Sequence, residues 1–439
     1  MKKIELLAPA GDLPRLKTAI RFGADAVYAG LPDFSLRNPR EITFTKKTLK
    51  EGIDFVHSHG KKIYLTFNIF PHEKDLSRLE KKILNIKDLI LSVDGIIVSD
   101  LGMFSIIKKN FPEIPIHIST QANTLNSEAI KMWKKLGASR IVLARELTLK
   151  EIKEIKKKMK SPFFAKASKG DFDKVKIEVF GHGAMCIAYS GRCLLSKYYT
   201  DREANLGDCS QSCRWRYRLK TQKHYMEEEL RLNDLVEVQE DSRGTYFLNS
   251  KEICTIDILG KFIKSGIDAL KIEGRAKSVY YVAMVTRIYR KAIDAYYNEN
   301  YNKKLVKELQ KELDLVSNRG YSHGFLLGEN EYEQNYETTA IKPPIIFVGL
   351  VLGTKNDLIQ VEVKNKFKVG ENIEIITPPS TTLGTSDEIH KTKIIKIFDK
   401  NMNEIKEALN PQDKVWLQID NRLKIPRESI IRKIKKRSD

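Results

Sequence analysis

The chain has 439 residues, 41% of them hydrophobic, enough to bury a large core in two domains. Lys and Arg number 77 against 57 Asp and Glu, a formal net charge of +20, and an excess of that size points to a polyanionic partner, nucleic acid ahead of anionic lipid. No run of about eighteen apolar residues is present to span a membrane, and the apolar run in MKKIELLAPAGD is too short for a signal peptide, so the expectation is a cytoplasmic protein with reduced thiols.

Eight short apolar runs rich in β-branched residues predict strands at 4–8, 25–30, 62–68, 95–100, 116–120, 140–145, 176–183 and 268–275. Helical stretches with apolar residues at three-to-four spacing separate most of them, such as LPRLKTAIRFG and KDLSRLEKKILNIKDLIL. Gly23, Gly137 and Gly266 stand where a helix would end before the next strand. Eight strand–helix units predict an α/β fold, a (β/α)₈ TIM-type barrel over 1–340. A doubly wound sheet competes, but no phosphate-binding glycine fingerprint follows the first strand. Residues 184–256 form a Cys-rich insertion between strands 7 and 8, in which RWRYRLKTQ and GTYFLNS predict two strands around an acidic, solvated loop. After a helix over 278–299, alternating apolar runs from Pro343 onward predict a small C-terminal β-barrel over 341–428. A basic tail, 429–439, closes the chain.

A barrel of this kind places its active site at the C-terminal ends of its strands. The polar residues there are Asn68, Asp100, Thr120, Gln121, Asn123, Arg145, Glu146, His182, Glu273 and Arg275. A polar ring is expected of any barrel, and for Glu146 and Glu273 a salt bridge to a neighbouring Arg is an equal alternative to a direct role.

Four of the five cysteines crowd into one segment, Cys186, Cys193, Cys209 and Cys213, while Cys254 stands apart. In a reducing compartment such density means a metal or an iron–sulfur cluster rather than disulfides. A zinc ribbon needs two tight pairs, and only Cys209 with Cys213 makes one. A cubane cluster suits the spacing at least as well, with zinc and a single nucleophilic cysteine still open. Gly191 and Gly207 would let the backbone turn closely, and Arg192 and Arg214 could offset cluster charge. Cys254 reads as a small buried apolar residue more than as a ligand. Neither HExxH nor G-x-S-x-G occurs, and the neighbouring Cys186 and His182 lack a third, orienting group.

The blocks ELLAPAGDLPRLKTAIRFGADAVYAG, STQANTLN, LARELTL, EVFGHGAMCIAYSGRCLLSKY, GDCSQSCRW, NSKEIC and LKIEGRAKSVYYVA resemble the family filed as collagenase-like peptidases, U32, and the resemblance runs over essentially the whole chain. The better-understood members of that family resemble oxygen-independent hydroxylation proteins, acting on tRNA wobble uridine, on a cytidine of 23S rRNA or on ubiquinone precursors. GDCSQSCRW and the appended β-barrel look most like the tRNA branch. The resemblance implies tRNA as partner, 5-hydroxyuridine as product, a [4Fe–4S] cluster and prephenate as co-substrate, with an electron donor or partner protein to supply what the chain lacks. It matches Cys186, Cys193 and Cys209 to cluster ligands, with Cys213 completing the set and Cys254 as the rival fourth. On this reading Arg145 and Arg275 hold the anionic co-substrate, Gln121 and Asn123 join them in binding, and Glu273 or His182 moves protons. Two other readings stand beside it, a collagenase-like peptidase and a zinc-stabilised RNA-binding protein.

Overall fold

The computed structural model describes residues 3–32, 34–35, 43–160, 175–186, 188–189, 193–200, 202, 204, 209–215, 224–226, 236–238, 249–328, 341, 343–379, 389–420 and 425–434. Outside these fall Gly191, Arg192 and Gly207, nearly all of RWRYRLKTQ and GTYFLNS, and the last five residues of the expected tail.

All eight barrel strands form. They begin with β1 (Glu5–Pro9), β2 (Ala26–Gly30), β3 (Lys62–Phe67), β4 (Gly95–Val98), β5 (Ile116–Ile118), β6 (Ala138–Val142) and β7 (Lys176–Ala184). Three short strands follow, β8 (His224–Met226), β9 (Val236–Val238) and β10 (Glu252–Cys254), and then the last barrel strand, β11 (Ala269–Ile272). Neighbours pair in parallel in chain order, and β11 pairs with both β1 and β7, which closes the ring. Helices cover the outer face, so β2 is buried at every position and reads as a continuous apolar run. Gly23 ends helix Leu13–Arg21 in the left-handed region at φ 102°, and a Cβ there would lie 2.5 Å from Arg290. The stretch expected as one helix over 74–91 is two, Glu73–Leu84 and Lys87–Leu91, because Asn85 caps the first and Asn favours helix ends over interiors.

β7 is the longest barrel strand, and its last three residues pair antiparallel with β10, which returns the insertion to the barrel. β12 (Tyr321–Ser322) extends that pair in parallel. Within the insertion β8 and β9 make an antiparallel hairpin. Val236–Val238 therefore corrects the expected acidic loop: its alternating VEV is strand.

The C-terminal region comprises β13 (Ile345–Lys355), β14 (Leu358–Val363), β15 (Phe367–Lys368), β16 (Asn372–Ile376), β17 (Ile389–Phe398), β18 (Glu404–Ile405), β19 (Glu407–Ala408), β20 (Lys414–Ile419) and β21 (Ile430–Ile434). Six of them run in the order β16-β21-β13-β14-β20-β17 and close back onto β16, all antiparallel. Strand β21 corrects the expected basic tail, since Ile430, Ile431 and Arg432 are buried. Arg432 donates to Glu374 at 2.7 Å within the small barrel. It also donates to Glu312 at 3.0 Å and to the Tyr280 hydroxyl at 3.1 Å, on helices Lys303–Asp314 and Val279–Tyr297 of the large one.

That guanidinium joins the two barrels. Arg432→Ala is expected to cost about 3 kcal/mol, because two carboxylates lose their counter-charge at a buried contact. Urea unfolding of the full chain measures it, and a loss below about 0.5 kcal/mol, the range of ordinary surface changes, would show the contact to be idle.

Candidate active site at the barrel mouth

The end of β11 alternates Lys271, Ile272 and Glu273, then continues to Arg275. Successive side chains of a strand face opposite ways, so Lys271, Glu273 and Arg275 all reach the inside while Ile272 packs outward. With Thr66, Asn68, Gln121 and Arg145 from neighbouring strands they line a small pocket of about 40 Å³, with Tyr28 and Phe180 as apolar walls.

Hydrogen bonds link much of the pocket floor. Arg275 donates to Ser35 Oγ and, at 2.9 Å, to Thr66 Oγ1. Ser35 and Thr66 share a hydrogen bond of 2.7 Å. Asn68 Nδ2 donates to Gln121 Oε1 at 2.8 Å, and Ser99 Oγ donates to the same oxygen at 3.1 Å. Thr120 Oγ1 donates to the Leu143 carbonyl at 3.0 Å. Arg145 lies 4.0 Å over the Phe180 ring and donates to the Ala184 carbonyl at 2.7 Å. Lys271 points downward instead, to Glu178 at 2.8 Å. Among the described residues the mouth thus carries two guanidiniums and one carboxylate, Glu273, all nine-tenths buried.

The first cysteine of the insertion, Cys186, stands two residues past Ala184, the residue that Arg145 holds. All five cysteines are free thiols. Burial raises the Cys213 thiol above its ordinary range, Arg214 opposes this, and Cys186, Cys209 and Cys193 raise it further by like charge. These four therefore lie within electrostatic reach of one another. Cys254 is elsewhere: it is buried, 3.8 Å from the Tyr289 hydroxyl, and burial pushes its thiol up to about 12. Arg319, which no sequence signal marked, is buried 3.4 Å from Glu252 and in the field of both Glu273 and Cys186.

Of the residues expected at the mouth, Asn68, Thr120, Gln121, Arg145, Glu273 and Arg275 come together in the pocket. Four do not line it. Asp100 caps helix Leu101–Asn110, accepting from Met103 N at 2.9 Å. Asn123 ends a short 3₁₀ turn in left-handed backbone at φ 51°. Glu146 is half-buried outside the pocket, with burial raising its carboxyl and Arg145 lowering it.

His182 faces outward, and the reason is a bulge. Lys271 pairs with Phe180, but Ile272 pairs with His182, leaving Gly181 as the extra residue. One inserted residue turns every later side chain to the opposite face. His182 therefore packs among Tyr281, Tyr289 and Tyr321, with its Nδ1 3.3 Å from the Tyr289 hydroxyl. The sequence also left Tyr28, Ser35, Thr66 and Lys271 unmarked. For Lys271 a signal existed, the K-x-E-x-R alternation in an otherwise apolar strand.

The model of peptidase family U32 matches residues 11–336, and that of its C-terminal domain matches residues 345–432. The chain is 36% identical to "tRNA hydroxylation protein P" of Haemophilus influenzae, over 95% of this chain and 93% of the relative. It is 38% identical to "tRNA hydroxylation protein P1" of Bacillus subtilis, over 96% and 93%. It is 30% identical to "Collagenase" of Porphyromonas gingivalis, over 94% and 97%.

Burial, and then Lys277, pushes the His182 imidazole from 6.5 down to about 3. The native state keeps it neutral while the unfolded chain takes up a proton below 6.5, so its contribution is whole above that pH and is lost as pH falls toward 3. Relative to His182→Phe, the wild type is expected to lose about 2 kcal/mol between about pH 7 and pH 5. Urea titrations of both proteins at the two pH values check this, and parallel curves would contradict the burial of the ring.

Proposed function

The chain belongs to peptidase family U32, and within that family we propose that it is an RNA-modifying enzyme that forms 5-hydroxyuridine at the tRNA wobble position. The observation that carries this reading is the gathering of four free thiols beside a cationic, hydrogen-bonded pocket. The names of the Haemophilus and Bacillus relatives support hydroxylation of RNA, and a net charge of +20 suits an RNA partner.

The donor set fits a [4Fe–4S] cluster. Four thiolates suit soft metal chemistry. Among the described residues no three Cys, His, Asp or Glu groups are placed to hold a metal ion as they stand, while Cys213 feels the other three thiols. A [4Fe–4S] cluster takes four thiolate ligands, the number gathered here. Cys186, Cys193, Cys209 and Cys213 would hold it, and once bound it would supply single electrons to the mouth. Cys254, turned toward Tyr289, is set aside as a ligand.

The chain's own residues do the binding. Arg145 and Arg275 both present planar guanidiniums to the pocket, and a guanidinium can pair two-pronged with a carboxylate. A dicarboxylate such as prephenate would satisfy both. Lys271 is committed to Glu178 and does not compete for it. Glu273 is the one carboxyl lining the pocket among the described residues and is the group to move a proton there. His182 is relieved of that role by its outward face. An electron donor or partner protein would complete the cycle.

Protein purified without oxygen is expected to carry about four iron and four acid-labile sulfide per chain. Cys193→Ser should lose them and Cys254→Ser should keep them; stoichiometric zinc without sulfide would overturn the cluster. Nucleoside mass spectrometry of tRNA from a deletion strain should show 5-hydroxyuridine missing. Arg275→Ala should restore it about 30-fold less well or worse, with its cluster intact, as expected when a buried charge pair to a ligand is cut. Unchanged 5-hydroxyuridine in a deletion strain without a paralogue would refute the assignment, and gelatin cleavage abolished by a point substitution would restore the peptidase reading.

A further inference from the structure

We propose that the exposed rings of Tyr198, Tyr199 and Trp215 form a stacking surface for unpaired RNA bases next to the thiols. The inference rests on the RNA reading above and assigns that reading a contact surface. Large aromatic side chains in this protein are otherwise mostly buried, as Tyr64, Tyr281 and Tyr289 are. Here Tyr198 is 81% exposed, Tyr199 47% and Trp215 38%, with Leu194 beside them at 79%. The rings form one continuous surface: Tyr198 and Tyr199 lie 5.1 Å apart between centroids, and Tyr199 and Trp215 lie 5.8 Å apart.

The surface is built onto the cysteine segment. Helix Leu195–Thr200 begins two residues after Cys193, and Trp215 stands two residues after Cys213. Buried Ser196 anchors the helix, its hydroxyl accepting from Ser210 N at 2.9 Å. Gln211 N in turn donates to Cys209 Sγ at 3.4 Å. Whatever rests on the rings is therefore held at a fixed place relative to the thiols.

The occupant follows from the chemistry of the surface. Lys197 and Arg202 are exposed and Arg214, next to Trp215 in sequence, is half-buried; over 186–215 the cations Arg192, Lys197, Arg202 and Arg214 interleave with Asp201, Glu203 and Asp208, and the whole chain carries a net charge of +20. Aromatic faces interleaved with cations bind single-stranded nucleic acid, because every base has a π face and every linkage a negative charge. Paired bases hide those faces, so an unpaired loop is the matching form of RNA.

The test uses the full chain and two labelled RNAs of equal length, a hairpin with an unpaired loop and a fully paired duplex, followed by fluorescence anisotropy. Tyr198→Ala and Trp215→Ala should each weaken hairpin binding about 5- to 150-fold, the range of one lost stacking contact, and leave duplex binding unchanged. Tyr198→Phe should bind as the wild type does. The log–log salt slope should stay constant in the aromatic variants and fall by about 0.7 in Lys197→Gln. Circular dichroism melting curves matching the wild type confirm the fold of each variant. If both alanine variants bind the hairpin like the wild type, the stacking surface is refuted while the RNA reading stands. A wild type that binds neither RNA at low salt refutes both. A wild-type dimer in sedimentation that both alanine variants abolish, with hairpin affinity unchanged, makes the patch a self-contact and overturns the proposal.

Discussion

Four charges inside the large barrel cancel one another, and the site above them depends on that cancellation. Arg140 donates to Glu178 at 2.8 Å and to Glu5 at 2.6 Å, and Lys271 donates to Glu178 at 2.8 Å. Burial alone would raise the Glu178 carboxyl, but Lys271 and Arg140 outweigh it and hold it below its ordinary value. His117 in the same layer is kept neutral by burial and by the cations around it. An unpaired charge at this depth would cost several kcal/mol, so none of the four can turn upward to meet a ligand. The cations at the mouth, Arg145 and Arg275, share the pocket with Glu273 among the described residues.

The same strand that carries Glu178 also delivers the thiols. β7 continues past the barrel wall, pairs with β10, and releases the chain at Met185 directly above Arg145. Gly183 makes this possible: its φ is 108°, and a Cβ there would lie 2.6 Å from the Glu273 carbonyl oxygen. Only glycine allows β7 to come so near the end of β11. The acid of the pocket and the first cysteine are thereby tied to adjacent strands, and a substitution at Gly183 would shift both.

Much of this was legible in the residues. Strands buried on both faces read as unbroken apolar runs, which is why β1 to β7 and β11 fall where the sequence put them. The polar strand ends announced Arg145, Glu273 and Arg275. Tyr28 and Thr66 did not stand out, because a polar atom within an apolar strand signals nothing until the barrel closes and gives it a neighbour. Ser35 meets Arg275 across 240 positions of sequence, a contact only the closed ring creates. In β21 the density of Lys and Arg hid two buried isoleucines, so a strand read as a tail.

His182 and Cys186 show how strand geometry separates two residues that sequence sets close together. Four positions apart, they could pass for the base and nucleophile of a cysteine peptidase. Had β7 kept its alternation, His182 would follow Phe180 into the pocket. The bulge at Gly181 reverses the face, and the imidazole ends among three tyrosines. A catalytic base there would have to gain a proton, and burial disfavours the charged ring strongly. A family can share one fold and still divide in chemistry. Here the bulge at Gly181 turns the imidazole away from the pocket that Arg145, Glu273 and Arg275 line, while Cys186, four residues on, leads to the other thiols.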